Sequence, residues 1–465
     1  MRKFFSILFV LSTILVSHDS AFADAGGSWA IHGKAVTASG ISDGWLLVKD
    51  GVITDVGASK DQIPQDAKQI DWNGYIFPGL IDTHNHTDWN VVPQWTRGPF
   101  SNRYIWQVDD DYKQHVDKIH VDLKSANLLP EARKFGEIRA LIGGTTLLQG
   151  SYDPVQPEPN IMVRNLDVRY KTVNIVKSVD ELDKDPSKPD ESKLLLARMD
   201  RQSAPDGLQR AFFHLGEGLP TDSRVASEFT TLLAKGFGRA GVVCIHGLAC
   251  KPGDFKTMAQ HKMYLVWSPV SNWNLYRAVA DIPSAVKAGL VIAIAPDWTI
   301  SGSDNVLEEM KFAYAMSRAR WGDLLKPQDI FRMVTSDAAT VSGVDKNSVV
   351  VGAPMGTIGK GYAADFFMAP ALDAATDGKP DPYESLLRTY PKHIHLVFID
   401  GKPVYGDKNE MAKLCPQFDT LSIQQITKAI VTTGDVPRDK NLERLSDILR
   451  SLRLGVPDLA PYIEN

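Results

Sequence analysis

Four of the chain's eleven histidines close short apolar runs, and each brings chemistry with it. The first two lie in Pro78 to Asp88, PGLIDTHNHTD. If Ile81 to His86 is a strand, residues two apart share a face. His84 and His86 then project together from the end of a rigid element. Two neutral imidazoles fixed in this way make half a metal site. Ala211-Phe212-Phe213-His214 is a second apolar run ending in His, and Glu217 follows three residues on. A carboxylate beside a cation-activated water can take its proton and later deliver it to a leaving nitrogen. Val242 to His246 is a third such run. Val291 to Asp297 is a fourth and ends in an acid, which is costly to bury unless paired or ligating. Plain alternatives stand beside each: loop histidines at 84 and 86, a solvated acid at Glu217, a core histidine at His246 and a helix N-cap at Asp297.

The elements that must hold these residues alternate between strand and helix. Thr145 to Leu148, Ile161 to Val168, Thr172 to Val176, Ala211 to His214, Val242 to His246, Tyr264 to Ser268 and Val291 to Pro296 have strand character. Helical spacing falls between them at Glu131 to Leu141, Ser227 to Lys235, Ile282 to Ala288 and Val306 to Ala319. A parallel α/β barrel requires this alternation and carries its active site at the C-terminal ends of its strands. Strands also occur at both chain ends. Trp29 to Val36 and the hairpin Gly44 to Val56, with Asp50-Gly51 at its tip, precede the motif. Ala364 to Met368 and His395 to Ile399 follow the alternating region.

The fold expected is α/β: a (β/α)8 TIM-like barrel with a small β-sandwich domain built from both chain ends. The expected boundaries are a signal peptide at 1–23, sandwich parts at 24–78 and 349–410, the barrel at 79–348 and a C-terminal extension at 411–465. Within that extension Asn441 to Leu452 is amphipathic.

The motif PGxIDxHxH resembles that of the amidohydrolase superfamily, in which it closes the first barrel strand and supplies two metal ligands. The resemblance covers roughly residues 30–410 and implies roles for the other runs. His214 matches the third metal-binding His, and HLGE matches the deaminase-like branch, which places a Glu three residues on. His246 matches a residue that orients the attacking water or stabilises the oxyanion in mononuclear members, and binds a second metal in dinuclear ones. Asp297 matches the eighth-strand Asp, a metal ligand that also holds the nucleophilic water. Ser268-Pro269-Val270-Ser271-Asn272 resembles the P-x-S-N segment of triazine-hydrolase and cytosine-deaminase-like members. Asn272 is then expected at the pocket mouth, with turn chemistry as the alternative. Trp89, Trp273 and Trp298 follow strand-end motifs and could wall an apolar pocket, or simply pack. The carboxylated lysine of dinuclear members has no clear counterpart, and Lys177 is the best candidate. Asp365, in GTIGKGYAADFFMA, matches a β-domain residue and is read as structural.

The implied activity is a metal-dependent hydrolase acting on carbon–nitrogen bonds other than peptide bonds, in a small cyclic substrate. His84, His86, His214 and Asp297 would bind one divalent ion. Zinc suits this set, with iron and manganese as alternatives. Glu217, His246 and Asp297 would be catalytic, and Trp89, Asn272 and Trp298 would contact substrate. The alternatives are a dinuclear amidase or peptidase and a non-catalytic secreted binding protein.

Composition sets outer limits. A formal charge of −5 without a basic stripe argues against a nucleic-acid partner. Arg2 and Lys3, the apolar run Phe4 to Val16 and Ala21-Phe22-Ala23 form a secretory signal pattern. The mature chain is expected to be secreted or periplasmic, cut near Ala23 and without stable membrane insertion. Three cysteines make no disulfide framework. Oligomeric state is left open.

Overall fold

The computed structural model describes residues 27–463 apart from 96, 151–161, 176, 186, 188–189, 350–351, 373–380 and 433–443. The expected signal peptide therefore lies outside the described residues. The site-bearing part of this α/β chain is built on eight short strands. They are β1 (Leu80–Asp82), β2 (Thr145–Leu148), β3 (Arg164–Asn165), β4 (Thr172–Ile175), β5 (Arg210–Leu215), β6 (Val242–His246), β7 (Tyr264–Trp267) and β8 (Ile292–Ile294). They form two all-parallel arcs, β1-β2-β3 and β8-β7-β6-β5-β4.

Every residue of β1, β2, β5, β6 and β8 is buried. Strands covered on both faces read as continuous apolar runs rather than alternating ones, which is why these were visible in the sequence. The arcs meet at a seam beside the site. Asn85, just past β1, forms a parallel bridge with Asp297, just past β8. The Asp297 N–H donates to the His84 carbonyl at 3.1 Å. Between β3 and β4 no strand pairing occurs among the described residues.

Two segments differ from expectation. The strand read over Ile161 to Val168 is cut to Arg164–Asn165, because Asn165 accepts from the Asp167 N–H and starts a helix at Leu166–Arg169; Ile161 lies outside the described residues. His84 to His86 are not a continuous strand, since pairing ends at Asp82.

Several of the intervening helices begin at side-chain caps. Asp222 accepts from the Arg224 and Val225 N–H groups at the start of Ser223–Ala234. That helix buries Val225, Glu228, Phe229 and Leu232, one stripe at three- and four-residue spacing. Asn305 caps Val306–Trp321, which ends at left-handed Gly322.

The chain ends form one nine-stranded mixed sheet. Its order is Asp419–Ile423, Ile426–Ile430, Lys402–Asp407, Leu396–Ile399, Phe366–Ala369, Lys68–Pro78, Ser28–Thr37, Gly40–Lys49, Val52–Ala58. One small β-sandwich domain assembled from both chain ends was expected, and strands from both ends do join, in a single continuous sheet. Lys68–Pro78 pairs with Ser28–Thr37 on one side and Phe366–Ala369 on the other, so hydrogen bonding runs through without a break. The stretch beyond 410, read from sequence as an extension, adds two strands to this sheet. Helix Leu445–Gly455 buries Leu445, Ile448, Leu449 and Leu452 and packs on helix Leu129–Leu141; residues 441–443 of that amphipathic run lie outside the described residues.

Lys68–Pro78 passes into β1 through Gly79. A Cβ there would come 2.0 Å from the Thr146 hydroxyl, so the glycine of PGLID permits this close passage. Asp365 pairs with Arg164 at 2.8 and 3.1 Å and accepts from the Asp400 N–H. It joins the sheet to β3, away from the histidines. Among the described residues no helix is long and apolar enough to cross a membrane.

Candidate metal centre and pocket

The ends of β1, β5, β6 and β8 bring the predicted residues together. His84, His86 and His214 each offer a ring nitrogen within 4.8 Å of the others, and so do His84, His246 and an Asp297 carboxylate oxygen. Asp297 Oδ1 lies 3.0 Å from His84 Nε2 and 3.4 Å from His86 Nε2. A tetrahedral ion with donors at ~2.0–2.1 Å holds them ~3.3 Å from one another. His84 Nε2 meets Asp297 without hydrogen-bond geometry and, like His246 Nε2, is a buried nitrogen with no hydrogen-bond partner. Such atoms are rare without an explanation. A cation would engage the first. The donor set fits a divalent metal ion.

Outer contacts select tautomers. His84 Nδ1 lies 3.3 Å from Gln149 Oε1, and His214 Nδ1 lies 3.2 Å from the Ile175 carbonyl. Both partners only accept, so each Nδ1 carries the hydrogen and each Nε2 keeps its lone pair for a metal. His246 is reversed. The Asn272 amide nitrogen faces its Nδ1 at 3.2 Å, which makes Nδ1 the acceptor and Nε2–H a donor. Asn272 is fully buried behind His246, so it does not sit at the pocket mouth as expected. Ser271 donates to Asp297 Oδ2 at 2.7 Å. The S-N pair thus orients two site residues rather than substrate.

His246 and Asp297 both adopt left-handed backbone, with φ of 72° and 71°. For residues other than glycine this costs about 1–3 kcal/mol and collects at functional sites. The Asn85 bridge helps to hold it at Asp297.

Burial governs the protonation states, and near charges correct it. Burial alone would raise Asp297, but the His84 and His86 imidazoles outweigh it and hold the carboxyl well below its usual range. Burial would lower His84, but Asp297 and Gln149 raise it. Burial, with Arg103 and the other imidazoles, keeps His214 well below its ordinary value and lowers His246 to about 3. Burial raises Glu217 against the opposing Arg103 guanidinium.

Glu217 stands at the centre of a second network. Tyr276 donates to its Oε1 at 2.8 Å, while Oε2 lies 3.6 Å from His246 Nε2 and 3.5 Å from the Arg103 guanidinium. The loop carrying it turns at Gly216, whose φ is 61°. The Gly216 N–H donates to Glu228 at 2.6 Å.

These groups line a cavity of about 120 Å³ together with Trp89, Trp106, Tyr112 and Trp298. Trp89 and Trp298 thus stand where the sequence reading put them. Trp273 does not, since its ring packs under Arg277 and Arg320 instead. Lys177 is also elsewhere, half-exposed and paired with Glu191 at 2.6 Å. Arg103, Trp106, Tyr112 and Tyr276 were missed. The available signal was aromatic density: Trp89, Trp95, Phe100, Tyr104, Trp106 and Tyr112 all fall in one strand-to-helix connection. The three cysteines are free.

Residues 219–404 match the model of the Amidohydrolase family. A 5-methylthioadenosine/S-adenosylhomocysteine deaminase of Bacillus cytotoxicus is 22% identical over 416 residues, covering 78% of this chain and 87% of the relative. Among solved structures, an adenosine deaminase from Xanthomonas campestris with bound zinc has a TM-score of 0.64 at 15% identity, covering 94% of this chain and 99% of that one. An atrazine chlorohydrolase from Arthrobacter aurescens complexed with zinc has a TM-score of 0.62 at 15% identity, covering 92% and 100%. The matched region holds His246, Asn272 and Asp297, and the histidines of β1 and β5 converge on them in space. Over residues 219–404, the segment that carries three of the site residues, the chain is similar to the Amidohydrolase family, and the likeness to the deaminase relative extends over most of its length.

Proposed function

We propose that the protein hydrolyses a carbon–nitrogen bond, other than a peptide bond, in a small cyclic substrate, releasing ammonia or an amine. It belongs on this reading to the triazine-hydrolase and cytosine-deaminase-like branch, and its eight strands make a (β/α)8 barrel. One observation carries the proposal. The histidine–aspartate cluster and the Glu217 carboxylate face the same small aromatic cavity.

His84, His86, His214 and Asp297 would hold one divalent ion, zinc on the chemistry of the donors. When bound, such an ion acidifies water toward a pKa of ~7 and polarises the group under attack. Asp297 orients the attacking water. Glu217, its carboxyl raised by burial, takes a proton and passes it to the leaving nitrogen. The Nε2–H of His246 is placed to donate to the attacking water as it adds to the ring carbon, while the ring nitrogen takes up the displaced electron pair and a proton. Trp89 and Trp298, inclined at 64° to each other, would bound a flat ring on two sides, one by its face and the other by its edge.

The tautomer of His246 and the remote position of Lys177 favour one ion over two. Metal analysis of the purified protein should give one ion per chain. Glu217→Gln should retain that ion and lose ammonia release from amino-heterocycles. Turnover that survives in this variant removes Glu217 from the mechanism. The signal pattern supports a secreted or periplasmic location. Cell fractionation with N-terminal sequencing of the mature chain, expected to start near Asp24, tests that location.

A further inference from the structure

Residues 100–107 cross the mouth of the pocket and are fastened on both sides. The Phe100 N–H donates to the Leu275 carbonyl at 2.7 Å, the Arg103 N–H to Glu217 at 3.1 Å, and the Leu219 N–H to Ser101 at 2.7 Å. Asn102 forms an antiparallel bridge with Gly218, and its side-chain amide donates to Asp222 at 2.5 Å. The Trp106 indole N–H donates to the Tyr276 hydroxyl at 2.8 Å. This segment is a built wall, tied to the helix Pro269–Tyr276 and to the loop after β5, because lifting it would break several backbone hydrogen bonds at once.

The wall sets the size and shape of the space. Trp106 lies 5.6 Å from Trp298 and 5.0 Å from Tyr112 between ring centroids, and Trp298 lies 5.8 Å from Trp89. Polar groups of Arg103, Gln107 and Glu217 interrupt these flat faces. The remaining cavity is about 120 Å³, below the roughly 300–1,000 Å³ of pockets that take drug-sized ligands. Flat apolar faces with a polar edge suit a planar heterocycle. A ribosyl group is puckered and polar on every side, has no flat face to lay against these rings, and adds bulk to a base in a cavity already bounded by Trp106.

We propose that this pocket takes a free planar amino-heterocycle and rejects the same base carrying a ribosyl group, with Trp106 setting the limit. The proposal rests on the hydrolase reading above and narrows its substrate class. It runs against the nucleosides in the names of the deaminase relatives and not against the atrazine of the chlorohydrolase, so the two likenesses make different predictions.

The test pairs each free base with its nucleoside. Zinc-loaded Glu217→Gln protein, which should bind without turnover, is titrated with adenine, cytosine and melamine, and with adenosine, cytidine and 5′-methylthioadenosine. Tryptophan fluorescence reports binding, since three indoles line the cavity. Ammonia release by the zinc-loaded wild type is measured on the same panel. At least one free heterocycle should bind about tenfold or more tighter than any nucleoside. In Trp106→Leu the nucleosides should gain about tenfold while the bases hold or weaken. Nucleosides that bind wild-type geometry as well as bases, and release ammonia, overturn the size limit and leave the hydrolase reading intact. Nucleoside affinity unmoved in Trp106→Leu overturns the role of Trp106. Loaded protein that neither binds nor hydrolyses any member of the panel overturns both proposals together.

Discussion

The Tyr276 hydroxyl lies 2.8 Å from Glu217 Oε1 and itself accepts the Trp106 indole N–H at 2.8 Å. The phenol therefore has both its roles occupied: it accepts from the pocket wall and donates to the carboxylate. Glu217 Oε1 is held, and Oε2 is left facing His246 and Arg103. On the mechanism proposed above, this leaves Oε2 as the carboxylate oxygen for proton transfer.

Tyr276→Phe removes that hydrogen bond and leaves the ring in place. A hydrogen bond to a charged group contributes ~1.5–3 kcal/mol. The expected outcome is a fall in kcat of about tenfold to a hundredfold, with KM and zinc content nearly unchanged. Steady-state kinetics on the best heterocycle, with metal analysis, checks it. A variant that loses affinity and keeps its rate shows instead that Tyr276 shapes only the pocket.

Removing the metal should cost stability as well as activity. A ligand that binds only the folded chain stabilises it by RT ln(1 + [L]/Kd), ~4 kcal/mol at a thousandfold excess over Kd. Chelated protein should melt several degrees below the zinc-loaded form and recover when zinc returns. His214→Ala removes one donor of the cluster and should abolish that zinc-dependent shift. Calorimetry with and without zinc decides it. A shift that persists in this variant places the ion elsewhere.

How far the sequence was legible depended on the range of each constraint. The strands that lead to His84, His214, His246 and Asp297 announced themselves because parallel strands buried on both faces read as continuous apolar runs. Their ends carried the chemistry, and spacing along one strand is local. Arg103, Trp106 and Tyr276 were not legible, because what joins them to Glu217 is contact between segments far apart in the chain. Asn272 was found but misplaced. Its motif marked it as a site residue, and only the packing of the Pro269–Tyr276 helix shows that it faces His246 rather than the cavity. Residues 161–168 looked like a strand by composition, and the Asn165 cap ended it early.

Asp365 tests the difference between a buried acid that reacts and one that holds the fold. It pairs with Arg164, which Asp400 also contacts at 3.0 Å. Asp365→Ala leaves a buried guanidinium with reduced compensation. Breaking such a pair costs ~3–5 kcal/mol, and the remaining Asp400 contact puts the expected loss near the lower end. Urea unfolding should show that loss, while kcat per folded molecule stays within about twofold of wild type. A variant that folds well and loses its rate returns Asp365 to the reaction.

Glu228 should give the protein a pH-dependent stability unrelated to the metal ligands. Burial raises its carboxyl to about 7, although Tyr104 and the Gly216 N–H both favour the charged form. The folded chain therefore keeps this proton up to about pH 7, whereas the unfolded chain releases it near the ordinary glutamate value of 4.5. Between those values the folded state binds more protons, so this contribution is present below pH 4.5 and is lost as pH rises through 7. The whole difference corresponds to about 3 kcal/mol. Glu228→Gln cannot ionise. Relative to wild type it should be equal or weaker at pH 5, because it loses one acceptor, and stronger at pH 8. Urea unfolding of both proteins at the two pH values measures this. A wild-type-minus-variant difference that is the same at both values would mean that the Glu228 carboxyl does not titrate in that window, and that its burial is already compensated by Arg103 and Tyr104.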